Sequence, residues 1–328
     1  MNVILYQAMD WVRAAARVSE AAYAGLGPGG ALTKSDLSPV TVADFGVQAL
    51  ILDRIGKAFP EDRIVAEEEA SDLRDPENEA LWKRVMGAVQ VVDDALDGEA
   101  MLGALDRGKD EGGAEGGFWT LDPVDGTKGF LRGEQYAIAL ARVERGRPVL
   151  GVLGCPRLTI RLNGAELGPG LLFFATRGDG AWVAELREGA QAHLIRASGQ
   201  VTASDLVFCE SVESGHSAHG HSEQIAQRLG VKAEPLRLDS QAKYGCVASG
   251  QADAYLRLPT RADYREKIWD HAAGVLIVEE AGGVVTDVEG KELDFSLGRT
   301  LRENRGVVAA APGVHATLMA AVAEVLGS

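Results

Sequence analysis

The chain has 328 residues, 46% of them hydrophobic and 25% charged, which is enough to bury more than one core. Its net charge is −15 and no basic block interrupts it, so nucleic acid and anionic membranes, which need clustered Lys and Arg, are excluded as expected partners. A small anionic substrate is not excluded, because bound divalent cations reverse the local sign.

Cys155, Cys209 and Cys246 are widely spaced and odd in number, so a reducing, cytoplasmic setting is expected rather than a disulfide framework. The N-terminus lacks a charged segment leading into an apolar run, so no signal peptide is expected. No stretch approaches the roughly 18–20 apolar residues that span a bilayer.

In chain order, helical spacing predicts an amphipathic helix over Tyr6–Tyr23, ended by the Gly/Pro cluster at Gly25–Gly30. A second helix is predicted over Asp44–Phe59, with Asp44 in its first turn, where simple capping explains an acid. Arg63–Glu69 reads as a short strand ending in three acids. Only one or two of those acids point inward, since strand side chains alternate. Residues 72–107 read as helical, and Gly103–Gly117 as a mobile glycine-rich loop that buries little.

Strands are then predicted over Tyr136–Val143, Val149–Leu153 and Leu171–Ala175, with a domain seam near Gly168–Gly170. Beyond it come strands at Leu206–Cys209, Ala252–Leu258, Val284–Asp287 and Val307–Ala311. Helices are predicted at Glu223–Leu229, Gln241–Ser249, Asp270–Ala281 and Val314–Leu326. Strands alternating with helices predict an α/β second half after an α+β first half. The expected division is residues 1–168, carrying a metal site, and residues 169–328, carrying ligand-binding residues.

The chemistry centres on Trp119–Phe130, whose core is Asp122-Pro-Val-Asp125-Gly-Thr127. Pro123 pushes Asp122 into extended backbone, Gly126 permits a tight turn, and Thr127 is suited to open a helix. Two hard oxygen ligands thus stand beside a helix start whose free N–H groups favour an anion. That pairing suits a divalent cation and a phosphate, although the same residues also make an ordinary surface turn.

A second acidic anchor, Trp269-Asp270-His271-Ala-Ala-Gly274, starts the Asp270 helix. His271, beside an apolar face, is read as packing or hydrogen bonding and not as a ligand. Ser240 and Lys243 share a side if helical. Arg257 lies within an apolar strand, where it needs either a buried salt bridge or an anionic ligand. His216 stands among small residues typical of a binding loop.

Taken together, Ala66-Glu-Glu68, Asp122–Thr127 and Trp269–Gly274 resemble the lithium-sensitive, magnesium-dependent phosphatases of the inositol monophosphatase superfamily. Lys128–Gln135, Leu238–Tyr244, Tyr255–Pro259, Glu266–Gly274 and Asp294–Thr300 are more closely similar to its 3′(2′),5′-bisphosphate nucleotidases of yeast and plant type. Nearly the whole chain is covered.

The resemblance implies a two-domain layered αβαβα sandwich and hydrolysis of 3′-phosphoadenosine 5′-phosphate to AMP and phosphate. The sulfated analogue, 3′-phosphoadenosine 5′-phosphosulfate, is a further candidate substrate. Two or three Mg2+ ions, replaceable by Mn2+, would be held by Glu67, Asp122, the Val124 carbonyl, Asp125 and Asp270. Asp44 and Thr127 would activate the attacking water. Thr127, His216, Ser240, Lys243, Arg257 and Asp270 would contact substrate.

Ala66 departs from the Gly usual there, which leaves Glu67 or Glu68 open as the leading acid; spacing from Ile64-Val65 favours Glu67. An all-oxygen donor set itself selects magnesium or manganese over zinc. The rival readings are an inositol phosphatase and a non-catalytic nucleotide sensor. The chain is expected to be a monomer or weak dimer.

Overall fold

The computed structural model describes residues 3–25, 31–33, 39–212, 219–259, 261 and 263–327. The chain begins with the long helix α1 (Val3–Ala24) and a small antiparallel hairpin, β1 (Ala31–Thr33) and β2 (Pro39–Thr41), before helix α2 (Val42–Ala58). β3 (Arg63–Ala66) follows, then the helices α3 (Ser71–Arg74), α4 (Glu79–Gln90) and α5 (Gly98–Asp106). The continuous helix predicted over 72–107 is therefore broken into short pieces. Pro76 opens a turn of 3-10 helix between α3 and α4, as a residue without an N–H can.

β4 (Gly117–Asp125), α6 (Thr127–Arg132), β5 (Ala137–Glu144) and β6 (Arg147–Cys155) come next. After them lie a second hairpin, β7 (Ile160–Leu162) and β8 (Ala165–Leu167), then β9 (Leu171–Thr176), β10 (Ala181–Glu185) and β11 (His193–Ile195). The last part holds β12 (Phe208–Glu210), α7 (His219–Leu229), β13 (Leu236–Arg237), α8 (Ala242–Ala248) and β14 (Ala254–Arg257). It ends with α9 (Ala272–Glu280), β15 (Val284–Thr286), β16 (Val307–Ala310) and α10 (His315–Leu326).

Two sheets organise these elements. The first has seven strands in the order β11-β10-β9-β6-β5-β4-β3, antiparallel except for the β3–β4 pair. The second has five strands in the order β13-β12-β14-β16-β15. Strand alternation assigns the faces. Trp119, Leu121, Ile138, Leu140, Val152 and Phe174 face α1 and α2 in one core. Their neighbours Phe118, Ala139, Ala141, Leu153 and Phe173 face α8 and α9 in another.

Cys209, Tyr255, Val285 and Ala309 of the second sheet reach into that same middle core. Phe208, Ala254, Leu256 and Val308 face outward onto α7 and α10. The layers are thus helices, sheet, helices, sheet, helices, the αβαβα sandwich expected.

Gly168–Gly170 lies inside this architecture, because β9 pairs with β6 and β10 and β11 continue the same sheet beyond it. A division by sheets falls after Ile195. The glycine-rich interval also differs from expectation. Gly103–Asp106 belongs to α5, Gly108 is buried, and Lys109 bridges to Val65 at the edge of β3. The interval buries backbone because Ala66 donates to the Gly108 carbonyl at 2.9 Å and Asp110 donates to that of Ile64 at 3.1 Å.

In the middle layer α8 and α9 approach closely at Gly274, where an added methyl would overlap the buried Tyr244 ring. Gly274→Ala is expected to cost about 1–3 kcal/mol of stability through overpacking. The check is a lowered urea midpoint with an unchanged m-value.

Candidate active site

In a regular strand Asp122 and Asp125, three residues apart, would point to opposite faces. They do not here. Asp122 is opposite Ala139 and Asp125 opposite Ala137, so β4 carries one residue more than β5 between them. This bulge brings both carboxylates to one side, and it tolerates Pro123, which has no N–H to donate. Gly126 then turns with φ 85° and caps α6 at Thr127. The Thr127 hydroxyl donates to the Val124 carbonyl at 3.1 Å, so these two expected groups are neighbours.

Three further elements deliver acids to the same point. Asp44 is the third residue of α2 rather than its cap. Thr41 is the cap, and its backbone N–H and hydroxyl donate to Asp44 Oδ2 at 2.7 and 2.5 Å. Glu67 follows the end of β3 and interacts with Asp122, as do Asp125, Asp270 and Asp44. Glu68, by contrast, is buried and its backbone is fixed on both sides by the Gln48 amide.

Ala66 fits because Gly108 leaves room: a Cβ on Gly108 would lie 2.9 Å from the Ala66 methyl. Asp270 ends a 3-10 turn, Ile268–Asp270, ahead of α9, so it does not open that helix as predicted.

The remaining predicted residues stand behind this cluster. Ser240 has φ 74° and precedes α8, so its position beside Lys243 does not come from a shared helical face. Ser240 instead packs against Gly126, whose added Cβ would meet its side chain at 3.1 Å. Lys243 is buried, with Nζ donating to the Leu238 carbonyl at 3.2 Å and lying 5.1 Å from the Tyr255 ring centre. Arg257 Nε stands 2.7 Å from Glu266 Oε2, and its Nη2 is 3.4 Å from Asp270 Oδ2. The salt bridge weighed for Arg257 is therefore present. His216 lies outside the described residues.

A sequence profile of the inositol monophosphatase family matches residues 1–326. The chain belongs to the inositol monophosphatase family. Among its relatives, a 3′(2′),5′-bisphosphate nucleotidase of Schizosaccharomyces pombe is 46% identical over 309 residues, covering 90% of this chain and 87% of that protein. One from Emericella nidulans is 47% identical over 323 residues, covering 90% and 91%. One from Oryza sativa is 44% identical over 331 residues, covering 96% and 92%. Among solved structures, an inositol monophosphatase of Thermotoga maritima superposes with a TM-score of 0.67 at 23% identity, covering 98% of this chain and 96% of that one. The suhB protein of Bartonella henselae gives 0.67 at 21%, covering 98% of each. At such identities these two structures establish the fold.

Several residues of this inositol monophosphatase family site were not singled out from the sequence. Gln241 is the most connected. Its backbone N–H donates to Asp125 Oδ2 at 2.5 Å, its amide donates to the Trp269 carbonyl at 2.8 Å, and it accepts from Gly274 N–H at 3.2 Å. Gln241 thus joins two of the acidic motifs, holding Asp125 through its backbone and the Trp269–Gly274 segment through its buried side chain. A Gln inside a helix start carries no sequence signal of this role.

His271 is buried, with Nδ1 2.7 Å from the Tyr244 hydroxyl and Nε2 3.2 Å from Glu266. Glu266, Asp270 and His271 are close enough to share an ion. Both ring nitrogens already have partners, however, so His271 is held between Tyr244 and Glu266.

Burial and the mutual repulsion of the acids raise the Asp122 pKa far above its ordinary value, and burial beside Asp270 pushes Asp125 up to about 6. Asp270 is raised by burial, though Arg257 opposes the shift. Asp122 Oδ1 is buried with no hydrogen-bond partner among the described residues. A cluster of oxygen donors whose charge is only partly offset by Arg257 and Lys243, with an orphaned carboxylate oxygen, fits a hard divalent cation.

Between about pH 4 and 6 the folded, metal-free protein holds a proton on Asp125 that the unfolded chain has lost. Its stability therefore falls as pH rises through that window. The metal-free protein is expected to melt higher at pH 5.5 than at pH 7.5. Affinity for a divalent cation, which must displace that proton, should fall below about pH 6. Melting and Mn2+ titrations across this range check both.

Proposed function

We propose that this chain is a magnesium-dependent 3′(2′),5′-bisphosphate nucleotidase that cleaves the 3′-phosphate of 3′-phosphoadenosine 5′-phosphate, giving AMP and phosphate. The reading rests on the convergence of Glu67, Asp122, Asp125 and Asp270 around one point. Relatives bearing that name, 46% and 47% identical over nine-tenths of the chain, support the substrate class. The sulfated analogue is a second candidate substrate. Three free, buried thiols suit a reducing cytoplasm.

Magnesium bound by these carboxylates and the Val124 carbonyl would neutralise charge on the transferring phosphoryl group and acidify a bound water. The chain's own groups supply the rest. The new bond runs from the water oxygen to phosphorus, and the bond to the 3′ oxygen breaks. Thr127 would take the water's proton as its own, turned from the Val124 carbonyl, passes to Asp44, and the departing 3′ oxygen takes a proton from solvent water to become the hydroxyl of AMP. Thr41 holds that carboxylate in place from the start of α2.

Lys243 and Arg257 act on the acids electrostatically, since both lower the Asp125 pKa against burial and Asp270. A second phosphate on the substrate would meet this positive ground, whereas a neutral polyol would leave it unused. Ser240, beside the Gly126 turn, would complete the contact.

Asp125→Asn is expected to cut turnover at least about a hundredfold, as loss of transition-state charge stabilisation does. The variant should retain its fold by circular dichroism, and retained activity with normal magnesium dependence would remove the central motif from the mechanism.

Arg257→Ala should raise KM for the bisphosphate about tenfold more than for a monophosphate, an effect worth about 1.4 kcal/mol. Equal effects on both would make Arg257 structural. The deciding assay compares phosphate release from 3′-phosphoadenosine 5′-phosphate and inositol 1-phosphate, with magnesium and then with added lithium. Preference for the nucleotide, lost with lithium, is expected. Preference for the inositol ester would overturn the substrate reading, and binding of nucleotide without release would make the protein a sensor.

A further inference from the structure

Arg299 lies in the segment between β15 and β16 and belongs to none of the acidic motifs. Its backbone is joined to the segment that carries Asp270. Ile268 N–H donates to the Arg299 carbonyl at 3.2 Å, Lys267 bridges to Thr300, and Leu301 N–H donates to the Glu266 carbonyl at 2.9 Å. Its guanidinium reaches the other way, into the first sheet. Nη2 donates to the Ala66 carbonyl at 2.6 Å, and Nη1 to those of Asp110 and Gly108 at 3.0 and 3.4 Å. On the way the guanidinium carbon stands 4.9 Å from the Trp269 ring centre.

The Ala66 carbonyl is covalently attached to Glu67, and Trp269 is covalently attached to Asp270. One side chain therefore bolts together two of the segments that bring acids to Asp122. Like charges brought this close repel, so their spacing has to be held by the surrounding structure. A flat guanidinium can donate to several carbonyls in one plane while its face rests on an aromatic ring; an ammonium cannot do both.

We propose that Arg299 is a positioning residue that sets the separation of Glu67 and Asp270, and through it the affinity of the cluster for a divalent cation. This rests on the metal-binding reading above. Its guanidinium is taken up by the carbonyls of Ala66, Gly108 and Asp110, so its effect is expected on metal affinity and not on substrate recognition.

The test is Mn2+ binding by titration calorimetry to the full chain without substrate, for the unsubstituted protein and for Arg299→Lys. The expected result is a rise in Kd of about tenfold, the lower end of what loss of a group supporting metal ligands causes. The magnesium concentration for half-maximal activity should rise in parallel, while KM for substrate at saturating magnesium stays unchanged and kcat recovers there.

Arg177→Lys provides the comparison, since Arg177 also joins the first sheet to α9, through Glu279 at 2.9 Å and the Pro148 carbonyl at 2.9 Å. It should lower the melting temperature without moving the Mn2+ Kd. If Arg299→Lys lowers only stability, as Arg177→Lys does, Arg299 is a structural tie and the proposal falls. Should Arg299→Lys fail to fold, Trp269→Phe loosens the same clamp from the ring side and should weaken Mn2+ binding in the same direction; an unchanged Kd there overturns the proposal. An unsubstituted protein that binds no Mn2+ removes the metal reading itself and this inference with it.

Discussion

Carboxylates held together in a buried place repel one another, and the nearby cations Lys243 and Arg257 relieve only part of that repulsion. Asp122 meets Glu67, Asp125, Asp270 and Asp44 at once. The acids arrive on α2, the end of β3, the bulge of β4 and the turn before α9, which are far apart in sequence. Much of the surrounding structure restrains these four arrivals. Thr41 pins Asp44, the Gln48 amide pins the backbone beside Glu67, and Gln241 pins Asp125 and the Trp269 carbonyl. Such a site holds unfavourable charge, a cost the surrounding packing must support.

The layered fold is what lets these restraints meet. The first sheet ends its parallel pair β3–β4 beside the start of α8 and just ahead of α9, helices that are also covered by the second sheet. Acids from the first sheet therefore meet Lys243 of α8, within the middle layer, and Arg257, which reaches in from β14 of the second sheet. Close approach is needed there, and small residues provide it: Gly126 against Ser240, Gly274 against Tyr244 and Gly151 against Ala273. Any bulk at those contacts would widen the gap across which the site is built.

Charge balance then follows from position. Arg257 leans on Glu266 and Asp270 together, and His271 and Tyr244 extend that network into the core. Burial pushes the Glu266 pKa up, but Arg257 and His271 hold it below the ordinary range, so it stays ionised. The positive ground behind the acids is thereby fixed in place rather than mobile. The relatives named as bisphosphate nucleotidases share 40–47% of their residues with this chain over nearly its full length. The solved structures cited share the layered fold at 23% and 21%.

By itself the sequence determined the local elements and the acidic motifs. Alternating and helical patterns are local, so most strands and helices were legible to within a few residues, as was the extended-turn-helix course of Asp122–Thr127. Local signals could not show what depends on partners distant in the chain. The seam near Gly168 looked like a boundary because Gly and Pro mark turns, yet β9 pairs back onto β6 and carries β10 and β11 with it into the same sheet. The glycine-rich interval looked mobile because its composition is poor in apolar residues, yet its backbone hydrogen-bonds to the edge of β3 and to Arg299.

Only the tertiary structure decided that Asp122 and Asp125 share a face, because the bulge is defined by register against β5. Only it decided that Gln241 and Arg299 serve the cluster, since each acts by bonding to backbone carbonyls and amides. Every residue offers those groups alike, so no sequence pattern marks the ones that are used.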